Sequence, residues 1–101
     1  AMEWRVPEHY SAQWQADRDF GRDGVFDVWK PFGATVGHGF EWSRLLLQLW
    51  QAEGRRAAWL PEAARALYDR AWTDGWDSER GGLVFTTDWS GQPVNSDRYH
   101  W

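Results

Sequence analysis

The feature that most restricts how this chain can fold is a run that is helical by spacing and apolar over most of its circumference. Phe40, Trp42, Leu45, Leu46, Leu47, Leu49 and Trp50 recur at helical intervals, and Gly54 then offers a left-handed stop. This spacing predicts a helix over 38–53. A helix apolar on nearly every side belongs inside other structure, packed on several faces. The sequence has 101 residues, and a compact unit of that length hides only about two-thirds of its unfolded surface. So few residues can hardly surround such a helix. The aromatic load sharpens the difficulty: ten Trp, three Tyr and five Phe are present. An indole is too large for a small core and its N–H needs a partner, so some of these rings are expected to line a surface or cleft. The chain is expected to be a piece of something larger.

The remaining sequence predicts a mainly α chain, a helical hairpin with a short β-hairpin, forming a single partial domain over 1–101. Residues 1–37 show turn-forming residues and no sustained 3.6-residue repeat, so they are expected to be extended or looping. Within them, 14–24 (WQADRDFGRDG) reads as an exposed loop and 25–29 (VFDVW) as a short strand. A second helix is expected over 59–73, with Pro61 inside its first turn and Glu62 near the positive end of the dipole. Leu60, Ala64, Leu67 and Ala71 form its apolar stripe, Arg65, Asp69 and Arg70 its solvated face, and Gly75 ends it. The segments 83–87 (LVFTT) and 89–94, around Ser90-Gly91, predict a β-hairpin over 83–94. Asn95-Ser96-Asp97 supplies cap chemistry for a third helix opening over 98–101. Trp50, Trp59 and Trp72 are expected to pack between helices.

Charge and composition exclude several functions. Eleven Lys and Arg against fifteen Asp and Glu give a net charge of -4, the wrong sign for binding a phosphate backbone, so no nucleic-acid partner is expected. With no cysteine, disulfides, thiolate metal sites and cysteine nucleophiles are excluded together. No apolar run of about 20 residues occurs, so no membrane association is expected and a cytoplasmic location is the default. His9, His38 and His100 lack the short paired spacing of a metal site. No GxxxxGK, GxGxxG or GxSxG pattern is present, which removes the common nucleotide and serine-hydrolase readings. Neither a metal nor a cofactor is expected.

The stretch 33–47, GATVGHGFEWSRLLL, carries the best candidate chemistry. His38, Glu41 and Leu45 share one helical stripe, and an imidazole beside a carboxylate at a glycine-flanked helix start can form an acid/base pair. Spacing alone is equally compatible with a histidine satisfied by backbone and a glutamate complementing the dipole. A tryptophan-rich cleft suits carbohydrate, because aromatic faces stack on the C–H faces of sugars. A non-catalytic, tryptophan-rich helical module that binds sugar or a protein partner is the alternative of a different class.

The run PFGATVGHGFEWSRLLLQL, from Pro31 to Leu49, resembles the central signature of the N-acylglucosamine 2-epimerase superfamily of sugar epimerases and aldose-ketose isomerases. Val6-Pro7-Glu8-His9-Tyr10 with Trp14 resembles the family's extended segment ahead of that signature. Gly75-Trp76-Asp77 with Gly81-Gly82 resembles its loop into a hairpin, and residues 96–101 the start of its next inner helix. The resemblance implies an (α/α)6 barrel several times longer than this chain, with sugar bound at the mouth of the inner helices. It implies a fragment contributing an inner helix (38–53), an outer helix (59–73), a hairpin (83–94) and the opening of another inner helix (98–101).

The implied activity interconverts an unphosphorylated aldose and ketose of the mannose-fructose type. A histidine takes the C2 proton, an enediolate forms, and the proton returns at C1 to give the ketose or at C2 to give the epimer. His38 matches the acid/base histidine, and Glu41 the carboxylate that holds substrate or orients a histidine. GHxxEWxRLL is the isomerase-like form of the motif and GHxxEAxW the epimerase-like form, so Trp42 and Arg44 favour the isomerase; a 2-epimerase of the N-acylglucosamine or cellobiose type is the alternative. Arg44, Trp42 and Trp101 are the expected substrate-binding residues, with a monosaccharide as the partner. The family's other catalytic histidines fall outside this sequence, and His9 and His100 do not match them. The fragment alone is therefore expected to be inactive, and to self-associate through exposed barrel-helix faces.

Overall fold

A computed structural model describes residues 2–99. Its elements, in chain order, are β1 (Ala34–Thr35), α1 (Val36–Ala52), α2 (Trp59–Gly75), β2 (Thr86–Thr87) and β3 (Pro93–Asn95). The expected helical hairpin and short β-hairpin are both present. The sheet has an additional member, β1, and runs β1-β2-β3 with both neighbouring pairs antiparallel.

Helix α1 begins at Val36 rather than 38 because it grows directly out of β1. Ala34 and Thr35 pair with Thr87 and Thr86, and the Val36 N–H donates to the Phe85 carbonyl at 3.0 Å. The sheet thus satisfies a helix-start donor that would otherwise need a cap. At the other end, Gly54 (φ 80°) donates to the Gln51 carbonyl and Arg55 to the Trp50 carbonyl. These are the two hydrogen bonds of a Schellman termination, so the predicted glycine stop operates as expected. The Glu53 carboxylate then accepts the backbone N–H groups of Arg56 (2.6 Å) and Ala57 (2.9 Å), shaping the link into α2.

Helix α2 buries Leu60, Ala63, Ala64, Leu67, Ala71 and Gly75. This is the predicted stripe, extended by one turn to Gly75, and it is built mostly of small residues. A methyl group added at Gly39 of α1 would lie 2.9 Å from the Ala71 methyl, and one at Gly75 would lie 2.5 Å from Val36. The two helices therefore touch almost backbone to backbone, the start of α1 against the end of α2. Val36, Ala71 and Val84 form the buried cluster, flanked by Phe40 and Leu83, and the Phe40 and Tyr68 rings meet edge-on at 5.1 Å.

Several expectations require correction. Residues 25–29 form no strand: Val25 is 97% and Trp29 87% exposed, and Asp27 accepts the Trp29 N–H in a tight turn. The β-hairpin is narrower than 83–94, because the Val84 N–H donates to the Gly75 carbonyl at the end of α2. Its turn is held by the Asp88 carboxylate, which accepts from the backbone of Ser90 and Gln92. No helix opens at Arg98 and Tyr99; Arg98 is tied back to Asp77 and the Gly81 carbonyl, while His100 and Trp101 lie outside the described residues. Trp59 and Trp72 are exposed at 61% and 46%. The interhelical seam is lined by alanines and has no room for them, and Trp72 stacks on Trp76 at 5.2 Å.

One buried ion pair fastens the irregular N-terminal segment to this frame. Arg5 donates to both carboxylate oxygens of Asp74, at 2.7 and 3.1 Å, and to the Trp89 carbonyl at 3.1 Å. Arg70 reaches Asp74 from one turn earlier on α2. Burial works against the Arg5 charge, but its hydrogen bonds to Asp74 and then Glu3 outweigh this and hold the guanidinium above its ordinary value. Removing one member of a buried pair strands the other. Arg5→Ala is expected to cost about 3 kcal/mol, on the order of 10²-fold in local opening, read as faster amide exchange at Asp88 and Gly91. Unchanged exchange there would show that the pair does not bind hairpin to helix.

Asp77 organises the loop after α2. Its carboxylate accepts the backbone N–H of Arg80 and then the Arg98 guanidinium, together with Glu79 N–H and the Arg80 side chain, and these hold its pKa down, from 3.8 to about 2. A carboxyl depressed on folding stabilises fully above its unfolded value of about 4, and that contribution disappears as pH falls through about 2. Thermal melts between pH 5 and 2 are expected to show an acid-side loss that Asp77→Asn flattens. Parallel curves for the two proteins would contradict this.

Candidate active site

A cleft of about 990 Å³ opens beside the start of α1. One wall is polar and carries Glu8, Thr35, His38, Glu41 and Arg44. The other is apolar and largely aromatic, formed by Trp29, Pro31, Phe40, Phe85 and Tyr99. The Phe85 and Tyr99 rings are tilted on each other with centroids 4.5 Å apart. A cleft of this size holds a monosaccharide with room to spare.

His38, Glu41 and Arg44 reach the cleft because they follow one another at three-residue intervals along α1, each about 60° further round the helix. The structure thus brings together three of the residues singled out in the sequence. Trp42 lies on the other flank of His38 from Glu41, about 100° from Glu41 around the helix. Its ring is half exposed and does not line the cleft. Trp101 lies outside the described residues.

His38 is partly exposed and has a carboxylate near each ring nitrogen. Nδ1 is 2.6 Å from Glu8 Oε1, and Nε2 is 4.0 Å from Glu41 Oε2. The first is a short, charge-assisted hydrogen bond; the second is too long for one and leaves Glu41 beside the ring without fixing it. Arg44 donates to Gln48 Oε1 at 3.4 Å, a long contact that leaves the guanidinium poised at the cleft wall. Among the described residues no group of three or more His, Cys, Asp or Glu is placed to hold a metal ion. Among the described residues no helix is long and apolar enough to cross a membrane.

Sequence reasoning missed Glu8 as a site residue. It precedes His38 by thirty positions, and no periodicity relates an extended segment to a later helix. The only local signal is Pro7, which favours extended chain on either side. Trp29, Phe85 and Tyr99 were missed for the same reason: each comes from a different irregular segment. His9, given no catalytic part in the sequence reading, sits away from the cleft and stacks on Phe20 at 3.8 Å.

Comparison with known proteins places the whole chain in one family. The model of the family described as N-acylglucosamine 2-epimerase (GlcNAc 2-epimerase) matches residues 1–101. A D-mannose isomerase from Pseudomonas cannabina pv. alisalensis is 42% identical over the whole chain, which covers 26% of that protein. One from Thermobifida fusca is 37% identical over 98% of the chain and 25% of its own length. A crystal structure of D-mannose isomerase superposes with a TM-score of 0.89 and 33% identity, covering 96% of this chain and 24% of that one. The chain therefore spans about a quarter of the length of the relatives it matches. By sequence and by the backbone that carries His38, Glu41 and Arg44, this chain belongs to the N-acylglucosamine 2-epimerase family.

Proposed function

We propose that this chain is part of a cytoplasmic aldose-ketose isomerase of (α/α)6-barrel architecture, acting on an unphosphorylated sugar of the mannose type. The observation that carries the reading is His38, held at the wall of an aromatic-lined cleft by a carboxylate 2.6 Å from Nδ1. An imidazole titrates near neutrality and suits a reaction that takes and returns one proton. The names of the similar proteins support an isomerase rather than an epimerase.

In this reading the open-chain aldose lies with its C–H face on the aromatic wall. His38 takes part in moving the C2 proton: the C2–H electron pair becomes the C1=C2 bond of an enediolate, and negative charge develops on O1. Arg44 offers a guanidinium to that oxygen or its neighbour, where fixed donors act most strongly because water is partly excluded. Delivery of the proton to C1, with transfer of the O2 proton to O1, leaves the ketose. Glu41 accepts sugar hydroxyls at the side of the ring. The remaining acid/base groups come from outside these residues, so the chain by itself is inactive. Leu45, Leu49 and Trp42 leave an exposed apolar strip on α1, at 43%, 53% and 48%, which supports self-association of the isolated segment.

The test uses the full-length protein that contains this segment. His38→Ala is expected to lower kcat for mannose-to-fructose conversion by about 10²–10⁴-fold, the usual weight of a positioned acid/base. Retained activity in that variant would remove His38 from the reaction. Accumulation of the C2 epimer in place of the ketose would identify an epimerase at the same site. For the 101-residue segment alone, sedimentation is expected to show association that grows with concentration; a strict monomer would contradict the exposed-face argument.

A further inference from the structure

We infer that Glu8 is a positioning residue that fixes the tautomer and the ring plane of His38, and so decides which ring nitrogen handles the proton. The inference rests on the proposed acid/base role of His38 and goes beyond it by assigning a function to a residue in the irregular N-terminal segment.

The argument starts from hydrogen-bond inventory. An ionised carboxylate has only acceptor sites, so the nitrogen 2.6 Å from Glu8 Oε1 must be the one that carries hydrogen. That places N–H on Nδ1 and leaves the basic lone pair of the neutral ring on Nε2. Nε2 is the nitrogen on the Glu41 side, 4.0 Å from Oε2, along the polar wall of the cleft. In water a free imidazole exchanges between tautomers, and half of the geometry needed for proton transfer is lost whenever the proton sits on the wrong nitrogen. A carboxylate on the far side of the ring removes that loss and balances the charge of the imidazolium while it holds the substrate's proton, the general logic of a base oriented by a third group.

Glu8 is suited to this because it is fixed and shielded. Its side chain is 22% exposed, against 51% for Glu41, so Glu8 is the carboxylate better held for a permanent contact and Glu41 the one more open to substrate. It reaches His38 from a segment anchored three residues earlier by the Arg5–Asp74 pair. Among the described residues lining the cleft, the charged groups beside His38 are Glu8 from the N-terminal segment and Glu41 and Arg44 from α1. The division of labour is an orienting carboxylate on Nδ1 and a substrate-facing carboxylate beside Nε2.

The experiment uses the full-length protein with 15N-labelled histidine. In the unsubstituted enzyme the neutral His38 ring is expected to show a pyrrole-like Nδ1 and a pyridine-like Nε2. The opposite pattern overturns the inference without any substitution and without reference to activity. In Glu8→Gln, which keeps shape and removes charge, kcat is expected to fall by on the order of 10²-fold while KM changes by no more than about threefold, as for loss of a transition-state interaction. An unchanged kcat in a folded Glu8→Gln protein overturns it as well. Should that variant fold poorly, Glu8→Asp supplies the same test: partial recovery of kcat relative to Glu8→Ala is expected, and equal loss in both overturns the assignment. The proposed reaction fails separately, through full activity of His38→Ala, an outcome that would leave the ring's tautomer signal as it is.

Discussion

The contact between Arg5 and Asp74 is the constraint on which the arrangement of the rest depends. Most of the chain before Ala34 has no regular structure, and a segment of that kind keeps a position only if something pays its ordering entropy. A guanidinium that bonds both oxygens of one shielded carboxylate, and the carbonyl of Trp89 as well, does so at a single point where helix α2, the hairpin and the N-terminal segment converge. The fit is tight: a methyl on Gly91 would lie 2.6 Å from the Arg5 guanidinium and 2.8 Å from Asp74. From that point the chain runs to Glu8, so the cleft's least exposed carboxylate is held by a contact outside the cleft. A site assembled from an extended segment and a helix needs such an anchor, since neither element specifies the other.

The second constraint is the closeness of the two helices. Gly39 and Gly75 are places where any side chain would collide with Ala71 or Val36, and the buried face of α2 is mostly alanine. Small residues let α1 settle deep against α2 on one side. A second apolar strip further round the helix, with Leu45, Leu49 and Trp42, remains open. That division explains how one helix can be apolar almost all round and still carry the cleft's polar residues: two apolar faces are intended for two sets of neighbours, and the polar strip lies between them.

How much of this was legible in the sequence follows from the range of each interaction. Helices α1 and α2 have local signals, namely a 3.6-residue stripe, a glycine stop and a proline in a first turn, and both appear near their expected bounds. His38, Glu41 and Arg44 also share a local relation, being one turn apart, so their meeting at one cleft could be read from spacing once the helix was assigned. Glu8 could not, because it sits thirty positions before His38 on an irregular segment that no local pattern relates to the helix. The strand expected at 25–29 failed because hydrophobicity gives a segment a tendency to pair without supplying a partner. Trp59 and Trp72 were misplaced for a similar reason: bulk suggested burial, while the seam they would have filled was already closed by alanines.

The near-contact of Gly39 with Ala71 has a consequence for the chemistry. A helix that packs through bare backbone cannot turn about its long axis, because even a small rotation drives a neighbouring side chain into the seam. A single residue's step, about 100°, would carry His38 away from Glu8 and bring Trp42 toward the cleft. The glycine therefore acts as an index mark for angle, setting the direction in which the neighbouring imidazole faces.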